Sequence, residues 1–140
     1  MEVRTKHKGM KVSDPGRLAE VMSSILRGED DIDKDKEHFW VIGLSVKLSI
    51  QFIELVSLGT LSSALIHPRE TFRKAIANGG VSSIACVHNH PSGDLEPSGH
   101  DLQVTEQLRA AGEIIGIKLI DHIIIANDGG FTSIKERGIL

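Results

Sequence analysis

Between residues 13 and 134 the chain alternates amphipathic stretches of helical period with short apolar stretches rich in β-forming residues. No other feature narrows its fold as much. Ser13-Asp14-Pro15 offers a capping side chain ahead of a proline suited to the first helical position. Leu18, Val21, Met22, Ile25 and Leu26 follow at three-four spacing, and Gly28 stops the helix. The acidic run 29–35 reads as a solvated connector. Residues 39–45 and 50–58 form two apolar β-rich stretches separated by a short polar interval, the pattern of an antiparallel hairpin. Pro68 opens a second helix to about Ala77, with Phe72, Ala75 and Ile76 on one side and Asn78-Gly79-Gly80 ending it. A short buried strand, 82–88, leads into a proline- and glycine-bearing loop, 91–97. A third helix starts near Ser98, with Leu102, Leu108, Ala111 and Ile115 facing inward, and Gly116 closes it before the apolar strand 117–126. A turn at 127–130 returns the chain as a last short strand, 131–134. Strands alternating with helices predict an α/β fold with a mixed sheet.

At 140 residues, with 40% hydrophobic and 25% charged, the chain has the size and balance of one globular domain. No apolar run approaches the ~20 residues that span a bilayer, and no signal-peptide stretch is present, so the expectation is a cytoplasmic protein. The single cysteine, Cys86, excludes an internal disulfide and any multi-cysteine zinc site within one chain, so a metal here must be held by histidine and carboxylate. Net charge is −3, from 16 Lys+Arg against 19 Asp+Glu, which gives no global attraction to nucleic acid or acidic membranes. Arg4, Lys6, Lys8 and Lys11 nevertheless make residues 1–15 a basic arm that an anionic partner could contact. A flexible, solvated terminus ahead of a domain at 16–140 is the expectation.

The chemistry concentrates in 88–101. His88 and His90 are spaced i and i+2 at the end of a strand, which puts both imidazoles on one side. The loop then turns the chain back, and Asp101 falls in the first turn of the next helix, where its carboxylate can reach the same point. Two histidines and one carboxylate make an open zinc shell with a fourth position for water. Ser98-x-x-Asp101 is also capping-box spacing, although Asp fits the last position less well than Glu.

This segment resembles the JAMM metalloprotease motif of MPN+ domains: His-x-His, seven residues, Ser, two residues, Asp. His88, His90, Ser98 and Asp101 match it without a gap. More narrowly, His-Asn-His-Pro-Ser-Gly with Pro97-Ser98, together with Gly59-Thr60, His67-Pro68-Arg69-Glu70 and Asp121-His122, looks like the bacterial RadC family over about residues 16–140. The resemblance implies a three-layer α-β-α domain with a cytidine-deaminase-like core. It implies Zn2+ on His88, His90 and Asp101, with Ser98 donating a hydrogen bond to the developing oxyanion. It also implies a glutamate general base from an upstream strand, a place that Glu37 matches, with Glu54 and Glu70 as alternatives. The implied activity is hydrolysis of a peptide or isopeptide amide bond in a peptide or protein substrate.

The remaining histidines and the cysteine carry smaller expectations. His122 is either a residue that orients a ligand or a satisfied core histidine. His67 is structural, and His7, His38 and His100 are surface residues. Cys86 is a buried small hydrophobe beside the site.

Two other functions compete. RadC-like proteins are traditionally labelled DNA repair proteins, which suggests a module binding nucleic acid or protein without hydrolysis. The acidic net charge, one Trp, four Phe and no Tyr do not favour a stacking platform, and the helix-hairpin-helix segment that often precedes a RadC domain finds no room before residue 16. A catalytically silent scaffold is the other alternative, but scaffolding MPN domains usually lack the ligand set kept here. Neither His-Glu-x-x-His nor a Cys-x-x-Cys pair occurs, against other zinc hydrolases and deaminases.

Overall fold

In the computed structural model, residues 1–59 and 66–140 are described; of the family-like Gly59-Thr60 pair, Thr60 lies outside them. The chain runs α1 (Pro15–Arg27), α2 (Asp31–Lys34), β1 (Glu37–Leu44), β2 (Ile50–Gly59), α3 (Pro68–Ala77), β3 (Ser83–Asn89), α4 (Gly99–Ile115), β4 (Lys118–Ile125) and β5 (Phe131–Ser133). Five strands form one sheet in the order β2-β1-β3-β4-β5. The pairings β1–β2, β1–β3 and β4–β5 are antiparallel, whereas β3–β4 is parallel, joined by the α4 crossover. This is the mixed α/β sheet expected.

Two cores flank the sheet because its central strands are apolar on both faces. Trp40, Ile42, Leu44, Ala85, Val87, Ile123 and Ile125 point to one side, where α1 lays down Leu18, Val21, Met22 and Leu26. The alternate residues Phe39, Val41, Ile84, Cys86 and Leu119 point to the other, against Phe72 and Ala75 of α3 and Val104 and Leu108 of α4. Asp14 caps α1 by accepting the Arg17 N–H at 2.8 Å, and Gly116, at φ 85°, closes α4 in the left-handed region. On β1, Gly43 leaves the space that the buried Phe52 ring of β2 occupies.

Several expectations are corrected, among them the inward placing of Ile76 and Ile115, which are both exposed. The acidic connector contains the short helix α2, because Asp30 accepts the Asp33 N–H at 3.0 Å and nucleates a turn. The basic arm does not project into solvent but lies along the outer edge of β2. Val3 donates to Ile53 O at 2.7 Å, Gly9 to Ile50 O at 2.7 Å and Val12 to Leu48 O at 2.9 Å. Val3, Thr5 and His7 are half-buried while Arg4, Lys6 and Lys8 stay exposed, so lysines and arginine face outward along the covered edge. His38 is not a surface residue: it is fully buried and stacks on Trp40 with ring centroids 4.8 Å apart, and His7 and His100 are half-buried.

A Cβ at Gly43 would overlap Phe52 Cε2. Gly43→Ala is therefore expected to lower unfolding free energy by about 1–3 kcal/mol, read from denaturant midpoints at unchanged m.

Candidate metal centre

The site is built where β3 ends and α4 begins. β3 carries His88 on the face shared with Cys86 and α4, and His90 follows just past the strand, its N–H held by Ile125 O at 2.9 Å. In β1 the register pairs Phe39 with His88, so Glu37, two residues earlier, lies opposite His90. Residues 91–97 then fold back. Gly93, at φ 85°, donates to His90 O at 3.0 Å, and Leu95 O accepts the Thr132 hydroxyl at 2.8 Å, tying the loop to β5.

Asp101 fills two positions at once. Ser98 and Asp101 form a capping box: Ser98 Oγ accepts the Asp101 N–H at 3.0 Å, and Asp101 Oδ2 accepts the Ser98 N–H at 2.8 Å. The same carboxylate reaches β3, with Oδ1 3.0 Å from His88 Nε2 and Oδ2 3.1 Å from His90 Nε2. The two Nε2 atoms are 2.9 Å apart. The capping and ligand readings of Ser98-x-x-Asp101 are therefore compatible.

This donor set fits a cation. His90 Nδ1 sits 2.5 Å from Asp94 O, and a carbonyl only accepts, so Nδ1 carries the proton and Nε2 offers its lone pair in the neutral ring. Two ring nitrogens this close repel unless a proton or a cation shares the space. Zinc bonds of about 2.0–2.2 Å place tetrahedral neighbours roughly 3.3–3.6 Å apart, so the three groups need only move outward by a few tenths of an ångström. His88, His90 and Asp101 could thus hold a metal ion. The electrostatics agree. The hydrogen bond to Asp101 raises the His90 pKa above its usual value against the effect of burial, with Asp94 O and the charge of Glu37 adding to it. Burial pushes the Asp101 carboxyl up, but the hydrogen bonds from His88 and His90 outweigh it and hold Asp101 well below the usual carboxylate range.

A profile of the RadC-like JAB domain family matches residues 12–139. The chain belongs to that family. Among curated relatives, the UPF0758 protein of Desulforudis audaxviator is 50% identical over 105 residues, 75% of this chain and 45% of its own. That of Pelodictyon phaeoclathratiforme is 53% identical over 108 residues, 77% of this chain and 48% of its own. That of Clostridium kluyveri is 43% identical over 140 residues, 99% of this chain and 60% of its own. The chain spans about half the length of the curated relatives it matches. No helix among the described residues is long and apolar enough to cross a membrane.

The histidines and Asp101 of this RadC-like JAB domain open on a cavity of about 830 Å³. Glu37 and Ser98 line it, with Asp35, Lys36, Gly59, Asp94, Glu96 and His100. Glu54 and Glu70 do not: Glu54 is buried 3.7 Å from Arg73, and Glu70 is an exposed residue in the first turn of α3. His67 caps α3 without a side-chain bond. Cys86 is fully buried, and burial pushes its thiol pKa far up, which makes it inert packing.

Sequence reasoning missed one residue of the frame. Asn89, between the histidines, points to the opposite face and is fully buried. Its Oδ1 accepts the His38 N–H at 2.6 Å and its Nδ2 donates to Lys36 O at 2.9 Å, clamping the backbone on both sides of Glu37. Only the period-two alternation of a strand, carried one residue on from His88, could have hinted at it. Behind His88 stands His122, delivered by a bulge: Leu119 pairs with Ile84 but Asp121 with Ala85, leaving Ile120 extra. Unbroken alternation from Leu119, with no bulge, would instead turn His122 toward α1. Asp121 secures the bulge by accepting from Ser133 Oγ at 2.6 Å and from the His122 and Lys135 N–H groups at 2.7 and 3.1 Å.

Asn89→Ala would strand the buried His38 N–H, while Lys36 O keeps its contact with His38 Nδ1 at 2.9 Å, and is expected to remove about 1–3 kcal/mol of stability by chemical denaturation. Metal affinity should depend on pH with a definite sign. The protonated form of His90 is favoured in the folded protein, so a cation must displace that proton below the raised pKa. Apparent affinity should therefore climb with pH through the region just above the ordinary histidine value, about 6.5, and flatten beyond it, as chelator competition from about pH 6 to about pH 8 would show.

Proposed function

We propose that the domain is a zinc-dependent hydrolase that cleaves a peptide or isopeptide amide bond. The observation that carries this reading is the convergence of His88 Nε2, His90 Nε2 and Asp101 Oδ1/Oδ2 within 2.9–3.1 Å on a cavity that also holds Glu37 and Ser98. Three protein ligands of this type leave an open coordination position, the mark of a catalytic rather than a structural zinc site. A zinc ion so held would supply Lewis acidity, drawing the pKa of a water in that position down to about 7 and polarising a carbonyl.

The chain's own residues supply the rest. Glu37, opposite His90, takes the proton of the attacking water and returns it to the departing amine. Ser98 Oγ already accepts the Asp101 N–H, so its hydroxyl proton remains to donate to the oxyanion of the tetrahedral intermediate. The clamp by Asn89 fixes the backbone from which Glu37 projects. A peptide suits this cavity better than a polyanion: among the described residues, Asp35, Glu37, Asp94, Glu96 and Asp101 line it against Lys36 alone.

Elemental analysis of protein expressed with added zinc tests the centre. About one zinc per chain is expected, falling to nearly none in the His88→Ala/His90→Ala double variant and sharply in Asp101→Ala. On a cleavable peptide or isopeptide, Glu37→Gln should keep the zinc yet lose about 10²–10⁴-fold in kcat. Full turnover by Glu37→Gln would assign the base elsewhere, and absence of zinc from the wild-type protein would remove the reading altogether.

A further inference from the structure

Behind the candidate ligands lies a closed chain of buried polar contacts that the hydrolytic reading does not use. The Thr105 hydroxyl contacts Asp101 O at 2.7 Å and His122 Nδ1 at 2.6 Å; His122 Nε2 contacts His88 Nδ1 at 2.7 Å; and His88 Nε2 returns to Asp101 Oδ1 at 3.0 Å. All four residues are at most 4% exposed, and the Phe39 ring meets His122 edge-on at 5.7 Å.

The proton positions follow from one atom that can only accept. Asp101 O is a carbonyl, so the single hydroxyl proton of Thr105 goes to it. The oxygen of Thr105 must then accept from His122, which puts the proton of that ring on Nδ1. His122 Nε2 is left as an acceptor, so His88 carries a proton on Nδ1, and its Nε2, 3.0 Å from Asp101 Oδ1, is the nitrogen left for a cation that histidine and carboxylate would share. The reverse order would set the lone pairs of Thr105 Oγ1 and the Asp101 carbonyl against each other, or those of Thr105 Oγ1 and His122 Nδ1. In a site closed to water nothing else could relieve that contact.

We propose that His122 and Thr105 are positioning residues of the metal centre, which set the His88 tautomer so that Nε2 is available as a ligand. The inference rests on the metal reading above. It also gives a chemical reason for the bulge at Ile120, which turns His122 onto this face. Thr105 lies one helical turn beyond Asp101, so the helix that supplies the carboxylate ligand also sets the tautomer of a histidine ligand on β3.

The test compares variants that keep the bonding pattern with variants that delete it. His122→Gln can still accept from His88 and donate to Thr105, whereas His122→Leu can do neither; Thr105→Ser keeps the hydroxyl and Thr105→Val removes it at nearly constant volume. Zinc affinity is read by chelator competition, and the His88 tautomer by long-range ¹H–¹⁵N NMR of the zinc-loaded protein. His122→Leu and Thr105→Val should bind zinc about 10–100-fold more weakly, while His122→Gln and Thr105→Ser stay close to wild type with His88 protonated at Nδ1. Wild-type affinity in both deletion variants would overturn the proposal, as would equal losses in Gln and Leu or in Ser and Val, because a merely space-filling role predicts them. If His122→Leu does not fold, the Thr105 pair decides alone. Failure of the wild-type protein to bind zinc would instead overturn the metal reading, and the positioning role with it.

Discussion

The Asp101 carboxylate is the point on which the rest of this structure turns. It completes the cap that starts α4 through Oδ2 and, with Oδ1 and Oδ2, meets both histidines at the end of β3. A helix start is a place where N–H groups lack partners, and a strand end is where side chains leave the sheet in a fixed direction. Joining them through one side chain sets the crossover between the parallel strands β3 and β4 and the geometry of the site together. The loop 91–97 can be irregular because its ends are fixed by this contact and by the bond from Thr132 to Leu95.

That local character explains how much was legible. The three candidate ligands lie within fourteen consecutive residues, and strand alternation, turn residues and capping spacing all act over such distances, so the sequence pattern was enough to bring His88, His90 and Asp101 together. Element order was legible for the same reason, since the central strands are apolar on both faces and the helices carry clear caps. What escaped was tertiary. Nothing in Val3 to Val12 announces pairing with β2, because an alternating basic segment suits solvent equally well. The burial of His38 depends on Trp40 beneath it, and the role of Asn89 on carbonyl and N–H groups some fifty residues away in sequence. The bulge at Ile120 has no composition signal of its own, yet it decides which way His122 faces.

The sheet also separates two tasks between its faces. The α1 side is built almost wholly from aliphatic packing around Trp40 and Met22. On the opposite side the same strands begin as core, with Ile84, Cys86 and Val41, and become polar toward the ends where His88, His122 and Glu37 stand. Polar groups are concentrated at one strand end, where α4 starts and water can enter. The buried ones among them are tied to one another, which limits the desolvation penalty that isolated groups would carry. This arrangement accommodates a charged site within a domain of 140 residues without opening its core.

Without a cation the site still has to neutralise a carboxylate that is 4% exposed. The imidazoles do so, which is why Asp101 stays ionised despite burial and why His90 holds its proton more strongly than a free histidine. A divalent cation bound at such a centre would displace the His90 proton and add one further positive charge beside the Asp101 carboxylate, which already meets both histidines. The ligand geometry is thereby formed in advance. The proton lost from His90 Nε2 leaves toward the open cavity, while the one on His88 Nδ1 stays locked against His122. The two histidines thus differ in kind: one faces the cavity and exchanges its proton with solvent, the other is held from behind by the fold, and it is this second that ties the centre to α4 and β4.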